Sequence, residues 1–257
     1  MLVLHELTEC IGSLILNRPE KRNALSAALV DEMLGALADF QKAGARVVVL
    51  SATLAGGVWS AGHDIGELPR GDEPLAYSDP LERLLRAIRR FPAPVIAMVN
   101  GSVWGGATDM VMNCDIVVGD ENCSFAITPS NLGLPYNTTG LLQFMRRVPL
   151  NFVKEMFFTA APVSAEGALQ WCILNHLIPA VELRDFTYDL AKTIAGKAPL
   201  AVSAAKEQLR ALAEAGPITP EVFERIQNLR REVYSSADYS EGIKAFYEKR
   251  KPSFAGK

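Results

Sequence analysis

Two stretches of small residues, each preceded by a β-branched apolar run, constrain the fold of this chain more than any other feature. Val47-Val48-Val49-Leu50 leads to Val58-Trp59-Ser60-Ala61-Gly62-His63-Asp64-Ile65. Val95-Ile96-Ala97-Met98-Val99 leads to Asn100-Gly101-Ser102-Val103-Trp104-Gly105-Gly106-Ala107. Short continuous apolar runs mark buried strands. Glycines after them let backbone N–H groups approach a partner closely. The second stretch also opens a predicted helix, Gly105 to Asn113. A helix start carries unpaired N–H donors and a partial positive charge. Two such donors from different loops, aimed at one point, hold a negatively charged oxygen.

The rest of the chain repeats the strand–turn–helix pattern. Ile11 to Leu16 reads as a strand. Ser26 caps a predicted helix running to Lys42, with Leu29, Met33, Leu37 and Phe40 at helical spacing. Strand Val47–Ser51 follows, then a mobile loop from Leu68 to Pro80 and a helix from Leu81 to Arg90. After strand Val95–Val99 and the Gly105 helix comes strand Asp115–Val118. This alternation predicts an α/β fold with parallel strands and helices outside. After Val163 the pattern becomes mainly helical, over Ser164–Leu169, Asp185–Ile194, Leu200–Ala215 and Pro220–Tyr234. The expected division is a core over 1–162 and a C-terminal helical region over 163–257.

Composition excludes several function classes. The 257 residues, 49% hydrophobic with a net charge of −3, suit one substantial core. No basic stripe interleaved with aromatics supports nucleic-acid binding. Arg83, Arg86, Arg89 and Arg90 read as a solvated helix face. The four cysteines form no C-x-x-C pair and are expected as buried reduced thiols. No signal peptide and no long apolar run for a membrane span are read, so the expected location is the cytoplasm. Neither a G-x-G-x-x-G motif nor a P-loop occurs, so nucleotide cofactors lack their phosphate cradle. His5 and His176 are isolated, and no metal site is expected. Ser60, His63 and Asp64 lie too close in sequence for a nucleophile–base–orienter line.

Ser60-Ala61-Gly62-His63-Asp64 and Gly101-Ser102-Val103-Trp104-Gly105-Gly106-Ala107 resemble the two oxyanion-hole segments of the enoyl-CoA hydratase/isomerase (crotonase) superfamily. The likeness runs from Leu16-Asn17-Arg18-Pro19-Glu20-Lys21-Arg22-Asn23-Ala24-Leu25 to Ala245-Phe246-Tyr247-Glu248-Lys249-Arg250. Within the superfamily, Glu67-Leu68-Pro69 and the segment from Thr128 to Asn137 resemble the branch that decarboxylates malonyl-type CoA thioesters. The resemblance implies a spiral of repeated ββα units. It also implies conversion of methylmalonyl-CoA to propionyl-CoA, with no cofactor beyond the CoA of the substrate, in a homotrimer or a dimer of trimers.

Residue by residue, the resemblance assigns the oxyanion donors to the backbone N–H groups of His63 and Gly106. It assigns the substrate carboxylate to the Tyr136 hydroxyl. Ala61, Gly62, Asp64, Ile65 and Thr128 are expected to line the substrate, and Arg22, Ala24, Phe246 and Lys249 to contact the CoA portion. Hydratases of the superfamily carry two glutamates at positions that here are Asp109 and Ser130. Water addition needs both a base and a proton donor, so this departure argues against a hydratase. Tyr136 also reads as a core aromatic, and Asp109 as a helix-terminal charge. Two alternatives remain. One is an enoyl-CoA hydratase or isomerase using Asp109 as its acid–base group. The other is a non-catalytic acyl-CoA-binding protein; an RNA-binding side function is disfavoured by the acidic balance.

Overall fold

A computed structural model gives the fold of the chain. It describes residues 1–67, 78–132, 136–214, 220–221, 224–225, 228, 232, 235–250 and 252–257. The expected mobile loop at 68–80 falls almost wholly outside these residues, as does most of the helix expected over 220–234.

The strands are β1 (Val3–Thr8), β2 (Ile11–Leu16), β3 (Val47–Ala52), β4 (Val58–Ser60), β5 (Val95–Val99), β6 (Ser102–Trp104), β7 (Ile116–Gly119), β8 (Ser124–Ala126), β9 (Val163–Ser164) and β10 (His176–Leu177). They form a six-stranded sheet in the order β1-β2-β3-β5-β7-β10 and a four-stranded sheet in the order β4-β6-β8-β9. β1 is antiparallel to β2, β9 is antiparallel to β8, and the other pairings are parallel. The pairs β3/β4, β5/β6 and β7/β8 each place the first strand in the large sheet and the second in the small one. With the helices after β4 and β6, this is the expected ββα spiral.

The helices are α1 (Ala27–Lys42), α2 (Pro80–Arg90), α3 (Gly106–Met112), α4 (Thr138–Arg147), α5 (Leu150–Thr159), α6 (Ala165–Gln170), α7 (Leu183–Ala195), α8 (Pro199–Glu214) and α9 (Ala237–Tyr247). Ser26 caps α1 as its sequence position suggests, its Oγ accepting from Leu29 N at 3.3 Å. Such a cap stabilises by about 1 kcal/mol.

The continuous apolar run of β3 is explained by cover on both faces. Val48 and Leu50 join Leu29 and Met33 of α1 in one core, while Val47 and Val49 join Leu183 and Ala191 of α7 in a second. Alternation along the strand divides one run between two cores. Each fully buried Val or Leu contributes roughly 1.5–3 kcal/mol relative to exposure.

Several local expectations need correction. The region after Val163 is mainly helical as expected, and it adds two short strands: β9 pairs with β8 and β10 pairs with β7. On α2, Arg83 and Arg90 are exposed, but Arg86 and Arg89 are half-buried. Arg89 Nη1 donates to Asn113 Oδ1 at 2.8 Å, because α2 packs against α3 there. Cys114 and Cys123 are buried as expected, whereas Cys10 and Cys172 are exposed. No described helix is long and apolar enough to cross a membrane, and no group of three or more potential metal ligands occurs among the described residues.

Candidate active site

The two small-residue motifs contain the short strands β4 and β6 that lead into the site. β4 and β6 are parallel neighbours in the small sheet, so the chain leaves both on the same side. The segment after β4 is pinned against the turn before α1. Ala61 N donates to Arg22 O at 2.8 Å, Leu25 N to Gly62 O at 2.8 Å, and Asp64 N to Leu25 O at 3.2 Å. This pairing uses the backbone of residues 62 and 64 and leaves the His63 N–H turned away from it. Beneath it, the side chain of fully buried Asn23 donates to Thr53 O at 2.8 Å and Trp59 O at 2.9 Å. Ser60 Oγ donates to Asn23 O at 2.7 Å. Ser60 therefore locks the loop and is not poised as a nucleophile.

Gly62 and the start of α3 nearly touch. Gly62 has φ +85, and a Cβ there would lie 2.3 Å from Trp104 O and 3.1 Å from Gly106 N. Only glycine permits both the dihedral and the approach. A Cβ on Gly106 would lie 3.5 Å from His63 N and 2.7 Å from Leu81 Cδ2. The N–H groups of His63 and Gly106 are thus neighbours. Gly106 is the first residue of α3, where N–H groups have no intrahelical acceptor. The α3 terminus is held by Thr108 Oγ1, which donates to Val103 O at 3.0 Å and Ala126 O at 2.9 Å. Gly105 N donates to Ala126 O at 2.8 Å. Gly105 itself turns at φ +52, with Thr128 Oγ1 3.2 Å from its virtual Cβ. Thr128 therefore borders the same turn.

One helical turn along α3, Asp109 is buried at 2% exposure. Tyr136 Oη donates to Asp109 Oδ2 at 2.9 Å, and Asn113 Nδ2 donates to Oδ1 at 3.0 Å. Burial pushes the Asp109 carboxyl from 3.8 up to about 6, opposed by the Tyr136 hydrogen bond and assisted by the charge of Glu82. Burial, with the Asp109 charge beside it, also raises the Tyr136 phenol well above its ordinary value. The Tyr136 ring packs edge-on to Phe157 and Phe144, at 4.9 and 6.3 Å between centroids. Tyr136 is thus a packed aromatic, as one reading of it expects, and its hydroxyl faces Asp109. Asp109 is no surface charge at a helix end. Close packing of α4 is possible because Gly140 lacks a side chain; a Cβ there would lie 2.4 Å from Tyr136 Cε1 and 2.7 Å from Asp109 Oδ2.

Glu82 on α2 is also buried, and Asn137 Nδ2 donates to its Oε1 at 2.6 Å. Desolvation raises its carboxyl pKa, opposed by Arg89 and Arg86. This buried link between Glu82 and Asn137 was not read from the sequence, nor was the Arg18–Asp64 ion pair at 2.9 Å. Arg18 holds the Asp64 carboxyl below its ordinary range, so Asp64 braces the loop through its side chain.

Of the other sequence candidates, Ala61 and Ile65 are exposed beside His63, Ala24 is half-buried, and Arg22 is exposed in a left-handed turn at φ 50. Lys249 is exposed after α9 with φ 52, remote in sequence from the loops at 61–65 and 105–107. The side chain of Phe246 lies outside the described residues. Ser130 is exposed. His63 Nδ1 is buried and has no hydrogen-bond partner among the described residues, and none of these orients the ring for proton transfer.

Comparison with known proteins gives the family of the chain. The family model described as enoyl-CoA hydratase/isomerase matches residues 6–257. Methylmalonyl-CoA decarboxylase of Escherichia coli is 48% identical over 93% of this chain and 92% of its own length. Human enoyl-CoA hydratase domain-containing protein 3 is 35% identical over 94% of this chain and 80% of its own. Among solved structures, methylmalonyl-CoA decarboxylase with 2S-carboxypropyl-CoA has a TM-score of 0.82 at 45% identity, covering 100% of this chain and 99% of the other. A Mycobacterium smegmatis enoyl-CoA hydratase reaches 0.88 at 28% identity, covering 99% of each. Backbone shape is thus shared across decarboxylase and hydratase alike, and sequence identity is the more discriminating measure. With the match extending over nearly its whole length, the chain belongs to the enoyl-CoA hydratase/isomerase family.

Proposed function

We propose that this protein decarboxylates methylmalonyl-CoA to propionyl-CoA through an enolate held by the backbone N–H groups of His63 and Gly106. The observation that carries the reading is the close approach of these two donors, with a Gly106 Cβ position only 3.5 Å from His63 N. The 48% identity to a methylmalonyl-CoA decarboxylase supports the choice of reaction.

The thioester oxygen accepts from both N–H groups. Cleavage of the C–CO₂ bond sends an electron pair into the thioester and places negative charge on that oxygen. Fixed donors at this point stabilise the charge as it develops, and each is worth roughly 3–4 kcal/mol. No base is required to start the reaction. The carboxylate must instead stand perpendicular to the thioester plane, and one directional hydrogen bond from the Tyr136 hydroxyl serves that orientation. Hydration is disfavoured because Asp109 Oδ1 is already engaged by Asn113 and Ser130 supplies no second acid–base group.

In this reading Ala61, Gly62, Ile65 and Thr128 border the acyl group, and Arg22, Ala24, Phe246 and Lys249 serve the CoA portion. The working form is a cytoplasmic homotrimer or dimer of trimers. Exposed Phe158, Leu209 and Met145 on helical surfaces, at 78, 69 and 52% exposure, favour self-association. Incubation with malonyl-, methylmalonyl- and crotonyl-CoA, with products identified by mass, tests the activity. Propionyl-CoA from methylmalonyl-CoA with no hydration of crotonyl-CoA is expected. Hydration of crotonyl-CoA with no CO₂ release overturns the reading, and tight binding of all three without product indicates a binding protein.

A further inference from the structure

Decarboxylation leaves an enolate that must acquire a proton, and the donor of that proton is the open step of the mechanism. One turn from Gly106, the Tyr136 hydroxyl and buried Asp109 form a hydrogen-bonded pair able to pass a proton. Asp109 follows Gly106 by three helical residues, about 4.5 Å along the axis, so the pair sits below the oxyanion donors. We propose that Tyr136 and Asp109 form a two-member proton relay, in which the Tyr136 hydroxyl protonates the enolate carbon and Asp109 reprotonates the tyrosine. The proposal rests on the decarboxylase reading and adds the source and the face of protonation.

The hydrogen bonds supply the argument. Asp109 Oδ1 is occupied by Asn113 Nδ2 at 3.0 Å, so only Oδ2 can carry or exchange a proton toward Tyr136, at 2.9 Å. Asn113 is itself oriented by Arg89 Nη1 at 2.8 Å, and its amide also reaches Asp109 O at 2.7 Å. The direction of Oδ2 is therefore fixed from behind. The charged and titratable groups around Asp109 are Glu82 and Arg89 from α2 and Tyr136 from the segment leading into α4. Asn113, on Asp109's own helix, is neutral. Burial and the Glu82 charge raise the carboxyl to about 6, and a substrate carboxylate adds to the negative charge nearby. Protonated Asp109 donates to Tyr136 Oη, which frees the phenolic O–H to donate to the substrate carboxylate.

The steps then balance. The C–CO₂ bond breaks, its electron pair enters the enolate, and CO₂ departs from beside Tyr136. The enolate carbon takes the phenolic proton from the face that CO₂ vacated. The phenolic oxygen takes the proton from Asp109. Asp109 remains as a carboxylate accepting from Tyr136, the arrangement seen in the structure, and regains a proton from solvent. The new hydrogen therefore occupies the position of the lost carboxylate, with retention of configuration.

The test is decarboxylation of one C2 epimer of methylmalonyl-CoA in D₂O, with the configuration of the deuterated propionyl-CoA determined. The unaltered enzyme is expected to deliver deuterium to a single face with retention, with kcat falling as pH rises through the Asp109 ionisation. In Asp109→Asn, the amide oxygen still accepts from Asn113 and the amide nitrogen still donates to Tyr136, but no proton can be handed over. This variant keeps the phenolic donor, so it is expected to lose the pH-dependent fall in kcat and to turn over about a hundredfold more slowly, whereas Tyr136→Phe, which removes the donor, is expected to label both faces. Single turnover with enzyme in excess supplies product for analysis however slow it is. Single-face labelling by Tyr136→Phe, an unchanged pH profile in Asp109→Asn, or two-face labelling by the unaltered enzyme overturns the relay while leaving decarboxylation standing. Absence of CO₂ from the unaltered enzyme overturns the underlying reading instead.

Discussion

Replacing Gly62 with alanine strikes the site where the two donor loops meet. The added Cβ would lie 2.3 Å from Trp104 O and 3.1 Å from Gly106 N, in a residue held at φ +85. Ordinary carbon–oxygen contact requires the two backbones to part by about 1 Å. The left-handed conformation adds roughly 1–2 kcal/mol for a non-glycine residue. The first effect moves His63 N relative to Gly106 N, and the second weakens the loop that carries it. A misplacement of about 1 Å at a reacting centre costs on the order of a hundredfold in rate. Steady-state decarboxylation of methylmalonyl-CoA by Gly62→Ala should therefore show kcat down about a hundredfold. The KM should change much less, because the residues proposed to hold the CoA portion lie elsewhere. Circular dichroism and thermal melting check that the fold survives. A folded Gly62→Ala enzyme with kcat within threefold of the original would refute the dependence of catalysis on this close approach.

Other perturbations separate the roles within the site. Tyr136→Phe deletes a hydrogen bond to a charged group, worth roughly 1.5–3 kcal/mol. Its kcat/KM for methylmalonyl-CoA should fall about ten- to hundredfold while propionyl-CoA affinity, measured by calorimetry, stays level; equal loss for both ligands would remove the carboxylate assignment. His63→Ala retains the backbone donor and should keep turnover within about tenfold; collapse of its rate would show that the imidazole takes part. Asp109 also affects stability. Its carboxyl, raised from 3.8 to about 6, binds a proton more tightly in the folded state. Stability is therefore lost as pH rises from about 4 to about 6, amounting to about 3 kcal/mol at 1.36 kcal/mol per unit. Asp109→Asn should raise the denaturation midpoint at pH 8 and have little effect below pH 4; a pH-independent change would contradict the buried-carboxyl assignment.

The parts legible in the sequence were those with a local signature. The β-branched run of β3, the capping Ser26 with the apolar spacing of α1, and the glycines at 62, 105 and 106 each carry their structural role in their own neighbourhood. The three-residue strands β4 and β6 were hidden inside the motifs, because so short a segment shows no usable periodicity. β1, α4 and α5 were also missed. The spiral itself came from family resemblance, since alternating strands and helices fit several parallel folds. Long-range polar pairs left no local trace. Tyr136 and Asp109 lie 27 positions apart and Arg18 and Asp64 lie 46 apart, and neither residue type announces its partner. Glu82 sits on a helix with charged neighbours, and its burial follows from the packing of α2 against α3.

Affinity for a planar, negatively charged analogue of the reacting group tests the paired donors most directly. The complex solved for a methylmalonyl-CoA decarboxylase with 2-nitronate-propionyl-CoA identifies such a ligand. Donors placed for developing charge bind it far more tightly than the neutral thioester. The Kd for the nitronate should lie at least about a hundredfold below that for propionyl-CoA, and Gly62→Ala should remove most of that ratio while leaving propionyl-CoA affinity nearly unchanged. Equal affinity for the two ligands, or a ratio untouched by Gly62→Ala, would contradict stabilisation of the enolate by His63 and Gly106.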